Sequence, residues 1–244
     1  MAGQRSDLLR PRPMVRQPMA KRSPLAPRVR QKPSGQYHHG ELRRALLDAT
    51  LAIVAREGMA TLSLRAVARR VGVSPQATYN HFRDRAALLG SAAEEGLREL
   101  ARQLREASAG GDSPGERLEA TAVAYVAFAT SHAAHFRLLS APDLAEQRSA
   151  PVLAAAYEEA FGVLLGAIEE CQRAGVIREG DPRTLALAAW ATVHGLAWLV
   201  VDGQLAVSRV AGDASDVARR TVRVLFKGLG AGGAAPSHRP ATRR

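Results

Sequence analysis

The stretch "VGVSPQATYNHFRDR", Val71 to Arg85, sets Gln76, Tyr79, Asn80 and Arg83 at i, i+3, i+4 and i+7. That spacing puts the four on one face of a helix. Glutamine and asparagine amides offer a donor beside an acceptor, the pairing that meets an adenine edge bidentately. A tyrosine hydroxyl reaches a phosphate or a base, and Ala77 is small enough to touch a thymine methyl. This is hydrogen-bonding chemistry for reading an edge, not for breaking a bond. Val73, Thr78 and Phe82 fall on the other side of the same helix and suit a packed interior.

The surrounding punctuation supplies the element that presents this face. Ser63 is an N-cap for a helix carrying Leu64, Val67, Ala68 and Val71 at i, i+3, i+4 and i+7, and Gly72 ends it. Ser74 caps the next helix, with Pro75 in the first-turn position where its missing N–H costs nothing. Two helices joined by Gly72-Val73-Ser74 make a helix-turn-helix, whose second member lies in a DNA major groove.

Charge is distributed in keeping with that reading. Over residues 1–36 nine Lys/Arg face one Asp, and 37–89 carries eight basic against four acidic residues. Residues 90–226 reverse the balance with thirteen against eighteen, and 227–244 adds four basic residues and no acid. A basic front and an acidic remainder indicate one segment suited to phosphates and one that is not. The Pro- and Arg-rich 1–36 reads as a disordered basic arm, either neutralising phosphates or merely solvated, and 229–244 as a flexible tail. Cys171 is alone, so an intramolecular disulfide is excluded and a reducing cytoplasm is the simplest compartment. No apolar leader core is present near the N-terminus.

The remainder reads as helix throughout, so the fold class is all-α. Helical spacing begins near Glu41 and stops at Gly58; Asp84 caps a long helix to about Ala107. Ser113-Pro114-Gly115-Glu116 is a capping box opening a helix to about Ser131. A short piece follows around His135–Ser140, then helices open at Pro151, at Asp181-Pro182 and near Asp213, the last ending at Gly228. Leu185 to Val201 approaches membrane-span length but is broken by Thr192, His194 and Gly195, so an interior or interface helix is expected and no membrane.

Residues 41–89 resemble the DNA-binding domain of the TetR (tetracycline repressor) family of bacterial transcription regulators. The resemblance rests on Gly58, Ser63, Val67-Ala68, Val71-Gly72-Val73-Ser74, Tyr79, His81-Phe82 and Asp84-Arg85 with Leu88. It implies a helix-turn-helix domain over 37–89 and a helical effector-binding and dimerisation domain over 90–228. It also implies double-stranded operator DNA and a second copy of the chain as partners, and a small-molecule effector that releases a repressor from its operator; the alternative is an architectural or global DNA-binding protein whose C-terminal half only dimerises. By the same resemblance Pro75, Gln76 and Ala77 occupy base-contacting places in the recognition helix, and Tyr79 and His81 match places that touch phosphate and neighbouring bases; Ser74 and Asn80 are expected to bind DNA beside them. Arg65 matches a place from which a base is reached. Arg85 stands where a phosphate-contacting lysine is usual. Thr78 replaces a bulkier apolar residue, so looser packing is expected there. "QYHHGELRRALL", Gln36 to Leu47, is similar to a subset of the family in which this lead-in lies on the DNA backbone.

"WATVHGLAWLVVDG", Trp190 to Gly203, resembles a C-terminal domain type named for a Trp-His-Gly signature. Trp190, His194 and Trp198 share a helical face, and Gly195 permits close approach of another helix. Two readings stay open. That face is core or dimer interface; or it walls a pocket with Tyr125, Phe128, Phe136 and Phe161, suited to an apolar or aromatic effector.

Other signals point nowhere. Gly228 to Gly233 fits a G-x-G-x-x-G string, but it follows a helix instead of a strand and opens no helix. His38-His39 with Glu41, and His132 with His135, lack zinc-site spacing, so no metal and no cofactor is expected. Without a nucleophile elbow, an H-E-x-x-H or a P-loop, no catalytic residue is assigned and an enzyme is not expected.

Overall fold

The computed structural model describes residues 39–229 except 146, 149, 208 and 209. The basic arm, most of the tail, and Gln36 to His38 lie outside the described residues. Nine α-helices occur among the described residues: α1 His39–Glu57, α2 Leu64–Val71, α3 Pro75–Tyr79, α4 Arg85–Ala109, α5 Pro114–Ser131, α6 Ala133–Leu139, α7 Pro151–Arg173, α8 Pro182–Val201 and α9 Ala214–Leu229. Short 3-10 turns at Met59–Thr61, Pro142–Leu144 and Gln204–Ala206 join some of them; these turns carry no strong sequence signal.

Local side-chain bonds set where the helices begin. Ser63, Ser74, Asp84 and Asp181 each accept a bond from the backbone N–H three residues on. Ser113 and Glu116 form the reciprocal capping box. Such caps are worth about 1 kcal/mol each, enough to fix a boundary but not to hold a helix. Burial does that. In α4, Leu88, Leu89, Leu97, Leu100 and Leu104 are all buried, roughly 10 kcal/mol of gross burial at about 2 kcal/mol per side chain.

α1, α2 and α3 close over Leu46, Val67 and Phe82, and the same apolar cluster continues through α4 to Phe128, Leu138, Leu153 and Ala160. The helix-turn-helix is thus seated on the effector half through shared core, with α1 also packing against α6. Gly72 ends α2 at φ 82°, a left-handed conformation that turns the chain into α3. α7 and α8 are long and apolar enough to cross a membrane by length and composition. One face of each builds helix contacts, α7 on α4 and α5, α8 on α5 and α9.

Candidate nucleic-acid interface and ligand cavity

The α3 face is presented to solvent as its spacing requires. Pro75, Gln76, Asn80 and Arg83 are exposed, Tyr79 is 45% exposed, and Ala77 and His81 are half-buried. Gln76 Nε2 lies 3.5 Å from Asn80 Oδ1, so the two amides lean along one stripe. Ser74 is exposed, but its hydroxyl accepts from the Ala77 N–H at 3.2 Å and serves as the cap. Arg65, exposed at the start of α2, borders a groove of about 410 Å³ together with Tyr79 and Arg83. Beneath the stripe Thr78 is fully buried and Phe82 is 2% exposed. The Thr78 hydroxyl is buried without a partner.

Arg85, expected at a phosphate, is held by three acceptors of its own chain. Its Nε donates to the Leu62 carbonyl at 3.0 Å and its Nη2 to the Met59 carbonyl at 3.1 Å. Nη1 meets Asp143 at 2.7 Å, and that guanidinium holds the Asp143 carboxyl below its usual range. The planar fork suits three acceptors at once. Facing inward, Arg85 ties the loop before α2 to the turn after α6.

In the effector half, α4, α5, α6, α7 and α8 surround a cavity of about 340 Å³. Tyr125, Phe128, Phe136, Phe161, Trp190 and His194 all line it, the aromatics thus enclosing space rather than filling it. Trp198 does not line it. It sits behind the wall, 5.1 Å from Phe136 between ring centroids, and donates its indole N–H to His194 Nε2 at 3.2 Å. His194 Nδ1 lies 2.8 Å from the Tyr125 hydroxyl, which also accepts the Trp190 N–H at 3.2 Å. Burial raises Tyr125 to about 12, keeping its proton, and lowers His194, keeping it neutral.

Several lining residues escaped the sequence reading. Leu97, Leu100 and Leu104 come from α4, and their i, i+3, i+7 spacing gave a signal for burial only. Tyr157, Glu158 and Arg183 close the far side. Arg183 pairs with Glu158 at 3.0 Å and lies 5.8 Å from the Phe161 ring centroid, forming a polar rim. On the opposite flank His135 packs against Gly96, where an added Cβ would stand 2.7 Å from its ring. Burial lowers His135 to about 4, and its Nε2 has no partner. His132 is stacked on Phe128 at 4.9 Å, a packing role.

Comparison with known proteins bears on both halves. Residues 46–92 match the model of bacterial regulatory proteins of the tetR family, and 118–225 match the tetracyclin repressor-like C-terminal domain. A Rhodococcus sp. RHA1 protein of unknown function is 34% identical, with a TM-score of 0.68 over 80% of this chain and 99% of its own. The chain belongs to the TetR family. It is therefore a DNA-binding transcription regulator and not an enzyme. Two further structures share the TetR fold at lower identity. A regulatory protein of the tetR family from Rhodococcus RHA1 is 22% identical, TM-score 0.64, covering 78% of this chain and 98% of that one. FadR from Bacillus subtilis, solved in complex with stearoyl-CoA, is 17% identical, TM-score 0.63, covering 76% and 98%.

Proposed function

We propose that this TetR-family regulator is a cytoplasmic homodimeric repressor, released from its operator by a small, largely apolar molecule bound in the 340 Å³ cavity. Pro75, Gln76, Ala77, Tyr79 and Asn80 meet base edges and phosphates, Arg65 and His81 flank them, and Ser74 shapes the helix start. The observation that carries the reading is the double duty of α4. Its Leu97, Leu100 and Leu104 wall the cavity, while its first residue, Arg85, anchors the loop leading into the helix-turn-helix. An occupant that prefers one placement of α4 changes the spacing of two recognition helices on a near-palindromic site. Couplings of about 1–3 kcal/mol change affinity roughly 5–150-fold.

The test is fluorescence anisotropy of the full chain on its own upstream DNA and on a scrambled duplex, near physiological salt. Tyr79→Ala is expected to cost the upstream duplex at least about tenfold, as loss of a base-reading side chain does, and to leave the scrambled duplex nearly unchanged. Equal affinity for both duplexes, lost only in a chain beginning at Ser34, would make the protein a charge-driven binder and overturn the operator reading.

A further inference from the structure

The hydrogen bonds around Tyr125 have only one consistent direction. An indole N–H donates and never accepts. The Trp198 N–H points at His194 Nε2, 3.2 Å away, so that nitrogen must present a lone pair. An imidazole always carries at least one N–H, so the proton is on Nδ1, and Nδ1 donates to the Tyr125 oxygen at 2.8 Å. The Trp190 N–H donates to the same oxygen at 3.2 Å. Both lone pairs of the Tyr125 hydroxyl are then occupied and its proton is left without an acceptor.

The other hydroxyls lining the cavity are already used as donors. Tyr157 donates to the Leu139 carbonyl at 3.2 Å and Ser140 to the Phe136 carbonyl at 3.1 Å. At the rim, Arg183 and Glu158 pair with each other. Away from the charged rim, the Tyr125 hydroxyl is the one lining donor whose proton no described residue accepts. A donor left unmet on a largely apolar wall favours an occupant that accepts from it.

We infer that the cavity selects a ligand with an uncharged carbonyl oxygen on an apolar body, that oxygen accepting from Tyr125 O–H, with His194 on the lining fixing the direction and Trp198 orienting His194 from behind the wall. This rests on the cavity being the effector site. A carboxylate fits less well at this position, because no cation stands at Tyr125 and the arginine lining the cavity is at the rim, its side chain 60% exposed. A ligand whose only polar group donates finds no lone pair free on the Tyr125 oxygen.

The test pairs 2-acetylnaphthalene with 2-ethylnaphthalene, which share a fused-ring body and differ by a carbonyl against a methylene, titrated calorimetrically into the full chain. Tyr125→Phe is expected to weaken the acetyl compound about tenfold and to leave the ethyl compound within about twofold, which cancels their different partitioning from water. Trp198→Phe gives an independent arm without altering the lining. Losing its N–H lets His194 take the other tautomer and accept the Tyr125 proton, so acetyl affinity should fall by about three- to tenfold while ethyl affinity holds. Equal effects on both compounds, or none on either, would overturn the carbonyl assignment and leave the cavity reading standing. If neither compound bound the wild-type chain, both would fall.

Discussion

Thr78 and His135 each place a polar atom where no partner meets it. The buried Thr78 hydroxyl costs desolvation with nothing in return. Thr78→Val keeps the branched shape and removes the oxygen, so it should raise stability by about 1 kcal/mol in urea unfolding without changing operator affinity. His135 makes stability depend on pH. Its folded value of about 4 lies below the 6.5 of a free imidazole, so the unfolded chain binds the extra proton first. The contribution of neutral His135 is complete above about pH 6.5, falls as pH drops toward 4 and levels off below. Wild type should lose about 2 kcal/mol more than His135→Phe between pH 7 and pH 4, discounted for screening at the rim of the groove that His135 lines. Denaturation midpoints at the two pH values measure it.

At the scale of elements, Arg85 decides whether α4 touches DNA or is only anchored near it. A phosphate contact contributes about one to the slope of log affinity against log salt. Bonded to Met59, Leu62 and Asp143, Arg85 should add no such contact, so the charge-removing Arg85→Gln should leave that slope unchanged. The cost should appear as about 1–2 kcal/mol of stability, since a glutamine cannot serve three acceptors in a plane. This arrangement also marks what a sequence can disclose. Helix starts at Ser63, Ser74, Asp84, Ser113 and Asp181 were legible because each cap acts across three residues. Arg85 with Asp143 spans 58 residues and Tyr125 with His194 spans 69, and no local spacing encodes either pairing. The aromatic face of α8 was readable from periodicity. That Trp198 would stand behind the wall while Trp190 and His194 line it depended on where α5 and α6 pack. Gly195 shows the same limit: among the described residues, no other helix comes within 4 Å of where its Cβ would be.

At the scale of the molecule, the open side of Gly195 belongs to an exposed stripe of α8 running through Leu187, Ala191 and Leu199, with Leu187 53% and Leu199 39% exposed. Apolar area of that kind marks an association surface, and small residues let two helix backbones come close. Gly195→Arg should shift the chain from dimer to monomer in sedimentation equilibrium. Operator affinity should fall with it, since one recognition helix cannot span two half-sites. The chain has two tryptophans in all, and both donate into the same four-residue hydrogen-bonded array with His194 and Tyr125. The ultraviolet emission of the unlabelled protein therefore comes from one place, the wall of the cavity. Quenching, spectral shift and near-ultraviolet dichroism report on that wall with no other indole to dilute them, so the molecule carries its own optical probe of occupancy.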